Sequence, residues 1–560
     1  MGAASHLTTR SVLTESHMAP RKKYIHKHLS IVQSQSKCRQ YLHREPAQIA
    51  FFLFFKAISK YFPLTSIDTL PDDVLLEAFD HYRTVCAGDW ARSQGWYKLA
   101  HTSRRWRRLV FASSLRLDLQ LRCTFGTPVR DMINHSPPFP LILDYGPRLL
   151  KTWTPTDEDN LLFALRHLSR VNEIMLSAPQ STLAVMTVAM LEAAPSLQHL
   201  TLHSQSAELV LPKGFLEGAA PRLQHLILTG VSLATLHPLL PSANSLVSLV
   251  LERVPSSAYF SPESLIAHIR SMPHLQTLSI GFLSAVPRPG LGSERFLPPG
   301  RVSQAQIELP ALTQLIYRGV SAYFEYLLAR FRAPLLQDID ITLFNQLTLR
   351  IPRTCTFISD LELFRPTGAR IEFTQTSAHI LLFTASAALP PSGPQSQSPD
   401  LSLSVPCGRL DFQVSAIAQI CSGLSGAGAH LLLPVEELTL GFHQGELSEE
   451  WRGEEAVDPS LWRALLTPFR QTCTLRVHVA LAADLERALR PAEPHAADGP
   501  AFVGGLEEEL LVPELRTIVL LHGDDERVLA GATAALDAFV DERNRAGHPV
   551  NVEPQDLSRL

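Results

Sequence analysis

Few residues of this chain stand where they could do chemistry, and each candidate constellation is incomplete. His199 and His203 lie four apart, and His225 follows one repeat length later. Imidazoles that meet on adjacent strands can hold a transition metal through neutral ring nitrogens. Histidines on a repeat surface are far commoner than metal centres, so no metal is expected. Gly423-Leu424-Ser425-Gly426-Ala427 opens like a nucleophile elbow, the strand-to-helix turn that lifts a serine oxygen towards a substrate. Its last position is Ala where that turn requires Gly, and the run 423–429 reads better as a flexible turn. His522-Gly523-Asp524-Asp525 offers an imidazole and two carboxylates, yet it reads more simply as a strand-to-helix turn capped by Asp524. Neither a GxxxxGKS/T phosphate cradle nor an HExxH pair occurs. The expectation is a chain with no catalytic residue, no metal and no cofactor. A hydrolase acting through Ser425 or a histidine pair is the enzymatic alternative.

Arg104, Arg105, Arg107 and Arg108 could meet phosphate, but the apolar residues among them give a simpler account. Leu70-Pro71 opens a helix, because Pro is tolerated only in the first turn, where its missing N–H is not needed. Asp72 and Asp73 follow where a helix N-terminus favours negative charge. Val74, Leu75, Ala78, Phe79 and Tyr82 then make one helical stripe. Trp96, Leu99, Ser103, Trp106 and Val110 step by three and four, so they are expected to share a second helical face. The arginines lie largely off it.

Read together, Leu70-Pro71, Leu75-Leu76, Phe79 and Ser103-Arg104-Arg105-Trp106-Arg107-Arg108-Leu109 resemble an F-box. The likeness covers 70–110, with a long polar connection at 81–94 and Thr102-Ser103 where the family has Val-Cys. The segment from Arg116 to Val129 resembles the block that follows the F-box in a large fungal group of such proteins with leucine-rich tails. The resemblance implies the substrate-receptor subunit of an SCF-type ubiquitin ligase. In that role the module would dock on the Skp adaptor and through it on a cullin scaffold, while the tail holds a target protein. It implies partner-binding roles for Leu70, Pro71, Leu75, Leu76, Phe79, Leu99, Trp106 and Leu109. Two ordinary core helices, or an F-box-like cap on a repeat scaffold outside any ligase, remain alternatives.

Behind the module the chain repeats. Leu197-Leu200-Leu202, Leu223-Leu226-Leu228, Leu246-Leu249-Leu251 and Leu275-Leu278-Ile280 all have the form LxxLxL. Val171-Ile174-Leu176 precedes them. Leu312-Leu315-Tyr317, Leu336-Ile339-Ile341 and Ile358-Leu361-Leu363 follow more loosely, at intervals that, apart from the step from Leu275 to Leu312, suit leucine-rich repeats. In a strand alternate residues share a face, so Leu200 and Leu202 point inward and Thr201 outward. Each unit exposes an apolar side that only a neighbour can cover. Helices are expected over 182–193 and 262–271, each stopped by a proline. The Asn or Cys that usually follows the strand is missing; Gln205, Val231, Val254 and Leu283 stand there. Loops are expected at 286–300 and 388–400. Val435-Leu438-Leu440 and Leu515-Ile518-Leu520 resume the strand signature, a helix over 525–545 follows, and 550–552 makes a last strand. Thr201, Ile227, Val250 and Ser279 are the outward candidates for touching a target.

The fold expected is α/β: a basic segment over 1–66, a helical module over 67–112, a connecting segment over 113–170, and an irregular repeat solenoid over 171–555. The 560 residues are 45% apolar with a net charge of −4, which gives no sign of a nucleic-acid partner. Residues 1–60 carry ten Lys/Arg against Glu15 and Glu45, or +8, leaving −4 − 8 = −12 for the rest. That head reads as a solvated tail, with a disordered arm, a nuclear-import signal at Arg21-Lys22-Lys23 or a mitochondrial presequence as alternatives. Seven scattered cysteines form no CxxC pair, which suits a reducing compartment, cytoplasmic or nuclear. The run Ile49–Phe55 is too short to span a bilayer, so no membrane partner is expected.

Overall fold

Pro71, extended at φ −59° and ψ 153°, starts the first helix among the described residues, α1 (Asp72–Val85), with Asp72 and Asp73 in its first turn. This is a computed structural model, which describes residues 70–88, 94–146, 152–205, 209–232, 239–284, 306–344, 349, 351–361, 364–384, 400–426, 430–442, 457–490, 510–523 and 526–556. The basic head 1–66, the loops at 286–300 and 388–399, Leu363, Asp524 and Asp525 lie outside them. Two compact units emerge, one within Met1–Arg122 and His135–Pro140, the other within Cys123–Asn134 and Leu141–Leu560.

The first unit is helical. The stripe read from the sequence is the buried side of α1, where Leu75, Ala78, Phe79 and Tyr82 are covered. The second stripe is divided rather than continuous. Helix α2 (Gln94–Thr102) stops before Ser103, which is extended and accepts a hydrogen bond from the Trp106 amide, 3.1 Å, as the N-cap of α3 (Arg104–Ala112). A serine oxygen competes well for the free amides of a first turn, so the chain breaks there instead of presenting Ser103 on a continuous face. Trp96, Leu99, Trp106 and Val110 still converge on one core. Phe139 closes it, edge-on to Trp96 with ring centroids 5.6 Å apart. Arg105 ties α3 to the start of α1 through the Leu70 carbonyl at 2.6 Å and the Asp72 carboxylate at 2.5 Å.

The second unit is built on one sheet. Strands β1 (Leu141–Tyr145), β2 (Val171–Ala178), β3 (His199–Ser204), β4 (His225–Thr229), β5 (Ser248–Val254), β6 (Thr277–Phe282), β7 (Gln314–Gly319) and β8 (Asp338–Leu343) lie side by side in chain order, all parallel. The last two leucine positions of each repeat pair with their counterparts on the next strand. One ladder runs Ile174, Leu200, Leu226, Leu249, Leu278, Leu315 and Ile339, and its members are buried. Each leucine so removed from water contributes about 1.5–3 kcal/mol. The first leucine position closes a tight turn. The amides of Leu197, Leu223, Leu246, Leu275, Leu312 and Leu336 each donate to the carbonyl three residues back. After the strands, where the expected Asn or Cys is missing, the backbone is satisfied by neighbouring strands instead: the Gln205 amide donates to the Ala178 carbonyl and the Leu283 amide to the Val254 carbonyl.

The span 113–170 is more than a connection, since it supplies β1 and helix α4 (Pro155–Leu165). Helices α5 (Gln180–Ala189) and α6 (Pro262–Ile269) fall close to their expected places. At Ile358-Leu361-Leu363 the expected strand gives way at its first position to a helix: Ile358 belongs to α8 (Pro352–Ser359) and its side chain is buried, while Leu363 lies outside the described residues. Pro352 at the first turn presets a helical φ. The acid that caps α8 comes from the preceding helix, α7 (Ser321–Leu328): Glu325 accepts from the Arg353 and Thr354 amides at 2.7 and 2.8 Å.

After α8 the chain departs from simple stacking. Strands β9 (Pro366–Phe373), β10 (Ser377–Thr384) and β11 (Leu401–Pro406) form an antiparallel meander laid down in reverse, so the order across the sheet is β8-β11-β10-β9. Helix α9 (Leu410–Ser425) leads back over it, and Gln413, fully buried, donates to the Thr374 and Cys407 carbonyls. Parallel stacking then resumes with β12 (Glu437–Phe442), β13 (Thr474–His478), β14 (Thr517–His522) and β15 (Asn551–Asp556). Between them come α10 (Pro459–Leu466), α11 (Ala482–Leu489) and α12 (Glu526–Arg545). No helix among the described residues is long and apolar enough to cross a membrane.

Candidate interaction surfaces

The outward face of the sheet follows from the same register. Met175, Thr201, Ile227, Val250, Ser279, Ile316 and Asp340 sit opposite one another on successive strands. Thr201, Ile227 and Val250 are half-buried as expected of outward positions, whereas Ser279 is only 1% exposed. Ser279 is short and is flanked by the longer Val250 and Ile316, so it cannot offer a contact of its own. A parallel row carries Glu173, His199, His225, Ser248, Thr277, Gln314 and Asp338. Gln314 donates to the Asp338 carboxylate at 2.7 Å.

Within that row His199 and His225 stack, with ring centroids 4.4 Å apart and planes within 6°. Burial pushes the His225 imidazole below its ordinary value; His199 adds to the shift and Glu173 opposes it. His203 pairs across to Thr229 instead and does not join the stack. Its imidazole is also lowered, by burial and then Arg253, against Glu252. No group of three metal-ligating side chains occurs among the described residues.

The other chemical candidates are placed as follows. Gly423 and Ser425 end α9 rather than forming a flexible turn, and Ser425 occupies a last helical turn, not a strand-to-helix elbow. Its hydroxyl is buried and has no hydrogen-bond partner among the described residues. Burial raises the thiols of Cys123 and Cys355 to about 12 and that of Cys407 to about 11, so none is a ready nucleophile at neutral pH.

The eight positions singled out in the helical unit divide into two groups. Leu75, Phe79, Leu99 and Trp106 are at most 3% exposed. In this arrangement they hold the helices together. Pro71 is exposed, and Leu70, Leu76 and Leu109 are half-buried. These four are the ones an incoming surface can touch first. Sequence periodicity marks both groups as apolar and cannot tell them apart, because a helix that packs on both sides is apolar on both.

Strand β13 also escaped the repeat reading. Thr472 stands where the first leucine belongs; it is fully buried and its hydroxyl donates to the Val435 carbonyl at 2.9 Å. Its amide makes the same turn to Phe469 that the leucines make elsewhere. The alternation Thr472-x-x-Leu475-x-Val477 was the available signal. Alternation was likewise visible in Ala369-Ile371-Phe373, Ala378-Ile380-Leu382 and Leu401-Leu403-Val405.

No family model and no curated protein matches the chain. Among solved structures it is similar to the leucine-rich repeat-containing protein LegL7 from Legionella pneumophila, with 11% identity and a TM-score of 0.24 over 75% of this chain and 98% of that one. A likeness of that size decides nothing, and the repeat architecture rests on the strand register.

Proposed function

We propose that this chain is a repeat-based protein-binding scaffold that serves as the substrate receptor of an SCF-type ubiquitin ligase. In this reading the helical unit docks on the Skp adaptor, the adaptor bridges to a cullin scaffold, and the outward sheet face holds a target protein. The chain contributes proximity and orientation and no covalent step. The observation that carries the reading is the helical unit itself. A Leu-Pro start, a buried Phe79–Trp106 core and accessible Pro71, Leu76 and Leu109 follow one another in the order the F-box resemblance implies.

The test is co-purification of the full chain with the Skp adaptor, beside a Leu76→Asp/Leu109→Asp variant that leaves the Phe79–Trp106 contact in place. Capture by the wild type and loss in the folded variant supports the receptor role. A folded wild type that leaves the adaptor unbound reduces the chain to a scaffold outside any ligase. The half-buried row Thr201, Ile227 and Val250, paired across successive strands, is the surface offered to the target in this reading.

A further inference from the structure

Helix α3 is electrostatically out of balance. Arg104, Arg105 and Arg107 fall within its first four residues, and no acid lies in its first turn. A helix N-terminus favours anions, so cations there are unfavourable. Arg105 is offset by Asp72. Arg107 donates through Nε to the Ala100 carbonyl at 3.0 Å, a neutral partner. Arg104 and Arg108 stand four apart on the side opposite the buried Trp106 and Val110, and both are exposed. Like charges at that spacing repel. Between Gln94 and Leu117 the sequence contains no Asp or Glu. A local rule broken without compensation among the described residues points to a surface kept for a partner.

We infer that the Arg104–Arg108 crest of α3 docks an acidic stripe on a protein partner. This deepens the adaptor reading and rests on it for the partner's identity, though not for its chemistry. Exposed Asp72, Asp73 and Glu77 on α1 belong to the same unit, which Arg105–Asp72 and Arg116–Glu77 pairs stitch together. A nucleic acid is anionic throughout and is repelled by those carboxylates. A folded protein surface can set carboxylates against α3 and neutral or basic groups against α1, meeting both signs.

The experiment compares the full chain with Arg104→Gln/Arg108→Gln. Binding is followed by fluorescence anisotropy with a labelled oligoglutamate peptide, a labelled DNA duplex and the purified Skp adaptor. The wild type should bind oligoglutamate and the adaptor, each more weakly as salt rises. The double variant should lose about tenfold in both affinities. Its Tm should stay level or rise, because the repulsion within α3 is gone. Oligoglutamate bound without the adaptor sinks the ligase reading and leaves the acidic-partner inference standing. The adaptor bound equally by wild type and variant does the reverse. A lowered Tm in the variant overturns the inference by making the arginines structural. Duplex binding tighter than oligoglutamate overturns it in favour of a nucleic-acid site.

Discussion

The rings of Phe79 and Trp106 lie with centroids 4.8 Å apart and planes at 59°, joining α1 to α3 across the core of the helical unit. Neither ring is more than 2% exposed. Their pairing separates what holds the unit together from what it can offer to a partner.

Trp106→Ala should therefore act on folding before it acts on binding. Truncating a buried tryptophan costs about 3–5 kcal/mol. Calorimetry should show the helical unit melting early, with adaptor capture lost in proportion. An unchanged melting profile with lost capture would place Trp106 at the interface instead.

Gly319→Ala should destabilise the repeat unit by about 1–3 kcal/mol. A Cβ there would collide with the Tyr317 ring and lie 2.9 Å from Phe282 Cδ2. Both rings are buried, and the Tyr317 hydroxyl is held by the Val320 carbonyl at 2.9 Å, so neither can retreat. Gly441→Ala is the control, with nothing within 4 Å of the added atom. Urea midpoints should fall for the first variant and hold for the second.

Glu325 should make stability fall as pH rises above about 4.5. Burial holds its carboxyl above the ordinary 4.5, against hydrogen bonds from Thr354 and Arg353. The unfolded chain then ionises first as pH rises. Stability carried by the protonated form is complete below about 4.5 and declines as pH climbs through the higher folded value. Glu325→Gln should flatten that segment of a stability–pH curve. It should also cost about 1–3 kcal/mol, since the new amide turns a donor towards an N–H of α8.

His225 should act in the opposite direction. Its folded value lies below the ordinary 6.5, so the unfolded chain takes up the proton first. Stability is intact above about 6.5 and falls as pH drops through the folded value. His225→Gln should reduce the acid-side loss in equilibrium unfolding; an unaltered curve would mean the His199–His225 stack carries no such linkage.

How far these features could be read from the chain depends on the distance over which each is decided. The LxxLxL spacing set the two inward ladders, because the faces of a strand depend on residues within one repeat. Leu70-Pro71-Asp72-Asp73 likewise set the start of α1. At Ser103 a local competitor, the cap, overruled a periodicity that continued past it. Thr472 hid a repeat because its polarity is answered only by Val435, which the chain reaches through the tertiary fold.

Spacing along the chain is enough to say which residues alternate, where helices start, and that stacking is needed to bury the leucines. The reversed order of β9, β10 and β11, the cap that Glu325 supplies to the helix after its own, and the inward-facing anchors of the helical unit emerge with the packed fold. The reason is physical. Periodicity fixes the faces of an element, whereas strand order, distant caps and the choice between two apolar faces are settled by contacts among residues far apart in the chain.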